Sequence, residues 1–117
     1  MATVAQIKQR IAEDLSLVPT GQTVQNQHLV RIAFAYDEVF AELKDSGDAV
    51  WTSTGEVPSR MVPHVVARCA FNCISSGSFG VSKERYQRIQ LANAEAKREI
   101  PKLSRPAYES LGESVDY

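Results

Sequence analysis

The two cysteines could in principle form a disulfide or bind a metal, and their spacing in the sequence shows whether either is plausible. Cys69 and Cys73 stand four positions apart in a stretch whose apolar residues follow helical spacing. Positions i and i+4 of one helix are poorly placed for a disulfide, and a zinc site would need two further ligands that the sequence does not cluster nearby. The pattern therefore favours two buried structural thiols over a redox or metal role, and no cofactor is expected.

A nucleophile activated by histidine is the second chemistry to consider. His28 and His64 fall in separate predicted helices, and neither stands beside a serine or a cysteine at a useful spacing. Such a site would also need a third group to orient the base, and donors to bind an oxyanion. We interpret His28, which lies on an apolar stripe, as a core or interface residue, and His64 as solvated. The sequence therefore does not predict an enzyme.

Two further patterns have simpler explanations than chemistry. Asp37, Glu38 and Glu42 form a carboxylate patch that a solvated helix face explains. The glycine-containing run SSGSFGVSKE lacks the lysine–serine ending and the preceding strand of a phosphate-binding P-loop. Neither pattern predicts a catalytic or nucleotide-binding site.

Length and composition indicate one ordinary globular domain. The chain has 117 residues, of which 44% are hydrophobic and 23% are charged. Its formal net charge of −1 argues against a dedicated nucleic-acid-binding protein, which usually has a basic excess. No apolar run approaches the roughly 20 residues that cross a bilayer, and the start, MATVAQIKQR, lacks the apolar core of a signal peptide. We expect a protein made in a cytoplasm, with no membrane partner.

The elements that would position these residues are helices. Thr3 and Gln6 have the spacing of a capping box, which marks the start of the first helix. Apolar residues at helical spacing predict four helices, over about Val4–Asp14, Val24–Lys44, Ser59–Ser75 and Ser82–Ile100, the last ended by Pro101. The predicted fold class is therefore all-α, a small bundle of about four helices.

The second helix and the loop after it contain the candidate subunit contacts. That helix is apolar around much of its circumference, which indicates packing on more than one side. Residues 49–57, AVWTSTGEV, predict a long extended loop or a short hairpin, and they include the only tryptophan. Trp51 either fills the edge of the core or contacts another subunit or partner. The candidate interface residues are Trp51, Phe34, Phe40, Arg85 and Arg88.

The C-terminal end predicts a second kind of contact. Residues 104–117 carry scattered apolar side chains, punctuated by Pro106 and Gly112, that cannot build a core of their own. A disordered linker would be poorer in aromatics, so the spaced apolar anchors indicate a segment that orders on a partner. We divide the chain into a helical domain, 1–103, and an extended partner-binding tail, 104–117. The candidate partner-binding residues of the tail are Arg105, Pro106, Tyr108, Leu111, Val115 and Tyr117.

Charge is unevenly distributed along the chain. Residues 83–105 hold seven basic and three acidic side chains, whereas the residues after them hold three acidic side chains and no basic one. A solvated helix face with local ion pairs explains this. Two alternatives stay open. The acidic tail of one copy could meet the basic surface of another, or the basic 83–105 helix could serve a small DNA-associated or regulatory module.

Five stretches of the sequence carry a resemblance to a known family. They are VAQIKQRIAEDL, RIAFAYDEVFAEL, VPHVVARCAFNCI, GVSKERYQRIQLANAEAKREI and RPAYESL. A chain of this length with these stretches in this order resembles the head–tail connector proteins of tailed bacteriophages, also called adaptor or head-completion proteins. The resemblance covers nearly the whole chain, although that family has no invariant catalytic signature.

The resemblance implies a structural role in the virion. Such proteins form a ring, commonly dodecameric, below the portal in the neck between capsid and tail, where they complete the head after packaging and extend the DNA channel. The implied partners are the portal protein, neighbouring copies, the next tail or neck component, and DNA that passes through without sequence-specific binding. A C-terminal extension of these proteins reaches onto the portal, which maps onto about residues 104–117 here. The loop 46–57 would then be a candidate for contacts with neighbours or with the tail.

Overall fold

The computed structural model describes residues 1–77 and 79–104, which form four helices joined by loops. The all-α prediction is confirmed, since these residues include no strand, and the only β-type pairing among them is a single bridge. None of the described helices is long and apolar enough to cross a membrane. The helices are α1 (Val4–Asp14), α2 (Asn26–Asp45), α3 (Val62–Ser75) and α4 (Lys83–Ser104).

The start of α1 follows from its capping box. The Thr3 hydroxyl accepts a hydrogen bond from the Gln6 backbone N–H at 3.2 Å, and the Gln6 side-chain oxygen accepts one from the Thr3 N–H at 2.9 Å. These reciprocal bonds satisfy two donors that a helix start would otherwise leave unpaired. Both predicted bounds of α1 are confirmed.

Two helices begin later than predicted. α2 starts at Asn26, because Gln25 is still extended and Val24 already places its side chain in the core before the helix begins. α3 starts at Val62, because a tight turn comes first, in which the Met61 N–H donates to the Pro58 carbonyl at 2.9 Å. Apolar spacing was the basis of both predictions, and it does not distinguish a buried side chain just before a helix, such as Val24 or Met61, from one in its first turn.

The predicted end of the fourth helix is wrong. α4 continues through Pro101 to Ser104. Proline removes one backbone hydrogen bond from a helix, but Ile100 is fully buried and Leu103 packs partly against the core on either side of it. Tertiary packing of these two side chains holds the last turn in place.

The loop between α2 and α3 pairs with the N-terminus instead of folding on itself. Gly47, in the left-handed conformation with φ of 82°, ends α2 as its position predicts. Further along, the Ala2 N–H donates to the Val57 carbonyl at 3.0 Å, and the Val57 N–H donates back to Ala2 at 2.8 Å. Val57 is fully buried, so this bridge ties the loop to the start of α1. Of the two predicted forms, the extended loop is the one observed.

α3 occupies the centre of the bundle. It packs against each of the other three helices, whereas α3 is the only described helix whose backbone α4 approaches closely. Small side chains line both sides of the α3–α4 contact, where they allow the two backbones to approach closely. Those small residues are Ala67, Ala70, Ala92 and Ala96.

We expect overpacking of this contact to destabilise the fold. Ala96 is fully buried, so Ala96→Leu should lower the free energy of unfolding by about 1–3 kcal/mol in urea denaturation. Ala94 lies on the exposed side of α4, and Ala94→Leu makes the same change of volume without a steric clash. Equal effects of the two substitutions would contradict the close α3–α4 packing.

Candidate interaction surfaces

The two cysteines are buried side by side in α3. Cys69 and Cys73 are free thiols, each almost fully buried. Burial raises the pKa of Cys69, and it raises the pKa of Cys73 to about 11, with a smaller contribution from the carboxylate of Glu38. Both thiols are therefore protonated at neutral pH, and the prediction that they are buried is confirmed. Across the described part of the chain, no group of three or more His, Cys, Asp or Glu side chains could hold a metal ion.

His28 has a packing role at the start of α2. Its ring is half-buried and lies 5.5 Å, centroid to centroid, from the ring of Phe79. Phe79 is buried and belongs to the loop between α3 and α4. This contact attaches that loop to α2, in agreement with the interpretation of His28 as a core or interface residue.

Trp51 fills the edge of the chain's own core. Its indole N–H donates to the hydroxyl of Tyr36 at 3.2 Å, and its ring lies 6.3 Å from that of Phe40. Burial raises the pKa of Tyr36, and the hydrogen bond from Trp51 opposes that rise. Trp51 itself is half-buried, and Phe40 is 9% exposed. Most of the surface of these two interface candidates, Trp51 and Phe40, is therefore buried by packing within their own chain.

The predicted carboxylate patch is solvated, and two of its members also contact α3. Asp37, Glu38 and Glu42 are all exposed. Glu42 forms an ion pair with Arg68, and Glu38 accepts a hydrogen bond from the Asn72 side-chain amide at 3.2 Å. Both contacts join α2 to α3. The sequence pattern alone did not show which carboxylates would face a neighbouring helix.

The two arginine candidates of α4 have different surroundings. The Arg85 guanidinium donates to the backbone carbonyl of Asp14 at 2.8 Å, which ties the start of α4 to the end of α1. Both Arg85 and Arg88 line a cleft of about 170 Å³ with Asp14 between α1, α3 and α4. Partial burial raises the pKa of Asp14, and the arginines nearby oppose that rise. Arg88 is exposed and is the arginine free to reach beyond the cleft.

The outer face of α2 exposes two large apolar side chains. Val30 is 49% exposed and Phe34 is 66% exposed, one helical turn further along. Both lie opposite the side of α2 that faces the core, whose buried residues are Ile32, Ala35, Tyr36, Val39, Phe40 and Leu43. Of the aromatic candidates on α2, Phe34 is thus the one available to a partner.

The outer face of α4 exposes a third large apolar side chain. Leu91 is 73% exposed and stands opposite the helix stripe that packs on α3. Five residues at alternating spacings of three and four form that stripe, and four of them are buried: Ile89, Asn93, Ala96 and Ile100. The fifth, Tyr86, is partly exposed and contacts the ring of Phe71 at 6.3 Å.

The two outer faces lie on different sides of the bundle and differ in charge. α2 and α4 both pack on α3, and among the described residues their backbones do not approach each other closely. α2 carries four acidic and two basic side chains, whereas α4 carries six basic and three acidic ones. The sequence indicated Phe34 as a candidate interface residue, whereas it indicated neither Val30 nor Leu91. A single leucine on an otherwise polar helix side, at Leu91, was the available signal.

The tail candidates lie outside the described residues. They are Arg105, Pro106, Tyr108, Leu111, Val115 and Tyr117.

No known protein family, curated protein or solved structure matches the chain. The geometry of the surfaces and the resemblance of the sequence stretches are therefore the basis for the function proposed below.

The position of Trp51 predicts a measurable contribution to stability. Trp51→Ala should lower the free energy of unfolding by about 2 kcal/mol, less than a fully buried tryptophan would, because part of the ring is exposed. Tyr36→Phe, which removes only the hydroxyl that accepts the indole hydrogen bond, should cost about 1 kcal/mol. Val50→Ala is the matched control, since Val50 is the exposed neighbour in the same loop. Unchanged stability of Trp51→Ala would instead favour a contact outside the chain.

The raised pKa values of the thiols predict weaker folding at alkaline pH. The unfolded chain loses thiol protons near the ordinary pKa of 9.0, whereas folded Cys73 keeps its proton up to about 11. Between these values the unfolded state binds fewer protons, so stability falls as pH rises, by up to about 1.4 kcal/mol per pH unit for each thiol. Urea denaturation of the wild type and of the Cys69→Ala, Cys73→Ala double variant measures this slope. Equal slopes would contradict the prediction.

Proposed function

We propose that this protein is a structural component of a bacteriophage virion, a head–tail connector that forms a ring below the portal. In this role it completes the head after packaging, extends the DNA channel and provides the platform for tail attachment. The location is the neck between capsid and tail. The proposal is supported by the resemblance of five sequence stretches, by the position of four of them in the four described helices, and by the surfaces of the bundle.

The observation that carries the proposal is the pair of exposed apolar faces on different sides of one small bundle. Phe34 on α2 and Leu91 on α4 are each more than half exposed. Clusters of exposed large apolar side chains often mark interaction sites. Two different faces on one chain suit a heterologous interface, which closes into a ring when the rotation between copies permits.

The proposed connector role also implies which other partners the protein binds. The portal protein would bind the tail, 104–117, and the next tail or neck component would bind the opposite end of the ring. The loop between α2 and α3, with Val50 65% exposed, is a candidate for one of these contacts. DNA would pass through the ring without sequence-specific binding.

A second function is favoured by the charge of α4. Lys83, Arg88, Lys97, Arg98 and Lys102 are all exposed on this helix. A small DNA-associated or regulatory module would use them on phosphates, and its affinity for duplex DNA would fall steeply as salt rises.

Removal of the tail tests the proposed function. A chain lacking residues 104–117 should keep the helical circular dichroism of the bundle, because every core residue in the described part of the chain precedes the deletion. Full-length and truncated chains serve as baits in a lysate of infected cells, and a full-length chain with a permuted tail controls for tail composition. Recovery of a portal protein by the native tail alone supports a connector. Equal recovery by the truncated chain contradicts portal binding through the tail, and retention of DNA in place of a portal favours the second function.

A further inference from the structure

We propose that the outer face of α2 on one copy binds the outer face of α4 on the next copy, with the two helices antiparallel and Phe34 opposite Leu91. This interface would join neighbouring copies in the proposed ring. It therefore rests on the ring-forming part of the proposed function, and it does not depend on portal binding. The occupant of each face is therefore a second copy of this chain.

The apolar centre of the interface consists of side chains that the single chain leaves in water. Val30, Phe34 and Leu91 are 49%, 66% and 73% exposed. Ala41 on α2 and Ala94 on α4 extend these faces with small exposed side chains, which lets the helices come close. Burial of these side chains between two copies removes apolar surface from water, and this hydrophobic contribution to the binding free energy does not depend on the direction of the helices.

Net charge favours the pairing of unlike helices. α2 has two basic and four acidic side chains, a net charge of −2, and α4 has six basic and three acidic ones, a net charge of +3. Pairing α2 with a second α2, or α4 with a second α4, would bring like net charges together. Pairing α2 with α4 brings opposite net charges together, which favours a head-to-tail contact over a two-fold symmetric one.

The positions of individual charges select the antiparallel direction. Arg31 and Glu38 lie one turn to either side of Phe34, and Arg88 and Glu95 lie one turn to either side of Leu91. With Phe34 opposite Leu91 and the helices antiparallel, Glu38 comes level with Arg88, within one residue or about 1.5 Å of helix rise.

The parallel direction gives the opposite result. It would bring Arg31 level with Arg88 and Glu38 level with Glu95, so that like charges stand at the same height. The contact that Glu38 already makes with Asn72 in its own chain leaves the second carboxylate oxygen available, since only one oxygen accepts that hydrogen bond.

The arrangement of the bundle makes the contact repeatable. α3 lies between α2 and α4, and no Cα atom of α2 lies within 8 Å of one in α4, so one copy can present both faces at once. Each copy then contributes α2 to one neighbour and α4 to the other, as a heterologous assembly requires.

Complementation between two defective variants tests the interface. Phe34→Asp removes the α2 face and Leu91→Asp removes the α4 face, and both side chains are exposed enough for the fold to tolerate the change. We expect the wild type to associate in analytical ultracentrifugation across a micromolar to millimolar series. Each variant alone should lose at least tenfold in affinity, equivalent to about 1.4 kcal/mol. Mixed together they should form a one-to-one dimer that grows no further, because each supplies the face that the other lacks.

The controls make the outcomes distinct. Ala5→Asp places the same charge at an exposed residue of α1, away from both faces, and should associate like the wild type. A monomeric wild type throughout the series, or association of Leu91→Asp like the wild type, would overturn the proposal. Two defective variants that stay monomeric when mixed would overturn it as well.

Charge reversal tests the antiparallel direction. Glu38→Arg and Arg88→Glu should each weaken association by up to about fivefold, the upper end of the range typical of exposed ion pairs. The double variant restores the pair between copies and should recover most of the affinity. Lys97→Glu makes the same change of charge on α4 away from Leu91 and should have a smaller effect. A double variant weaker than both single variants would overturn the antiparallel pairing.

The test is separable from that of the proposed function. Association of the pure chain measures the α2–α4 contact, whereas the pull-down measures recognition of a portal. A chain that associates in this way and recovers no portal supports the interface while contradicting the connector role. A chain that recovers a portal, but whose Phe34→Asp and Leu91→Asp variants form no dimer when mixed, supports the connector role and contradicts the α2–α4 interface.

Discussion

α3 has eight of its fourteen residues buried, and each of the other three helices packs against it. α1 and α2 also pack on each other, so α4 depends on α3 more than any other helix does. A helix with apolar residues on so many sides is stable only when neighbours cover them, since an isolated helix of this length is marginal in water. The position of every outer face in the bundle follows from this central contact.

Because α3 separates α2 from α4, the sides of these helices that face away from the core are exposed on different parts of the surface. Each exposes apolar side chains that its own chain does not cover, Val30 and Phe34 on α2 and Leu91 on α4. Polar contacts hold the faces in a defined orientation. Glu42 pairs with Arg68 between α2 and α3, and Arg85 binds the Asp14 carbonyl between α4 and α1. A rigid bundle with two oriented faces is suited to assembly, because little conformational freedom is lost on binding.

The edge of the core shows why single residues were hard to interpret from sequence. Trp51 had two open interpretations, a core-edge position and a partner contact, and the structure places it against Tyr36 and Phe40 of its own chain. Glu38 and Glu42 were interpreted as solvated, and both are exposed, but each also binds a side chain of α3. Their spacing shows which helix side they share, but only the position of the neighbouring helix decides what that side meets.

The sequence by itself determined the all-α class, the bounds of α1, the end of α2 near Gly47, and the buried stripe of α4. These depend on interactions between residues three or four positions apart, such as the Thr3–Gln6 capping box, and on apolar spacing that any amphipathic helix must show. Tertiary structure alone decided the continuation of α4 through Pro101, the later starts of α2 and α3, the pairing of Val57 with Ala2, and the exposure of Phe34 and Leu91 on separate faces. Each of these depends on residues distant in sequence, whose packing free energy outweighs the local preference of the chain.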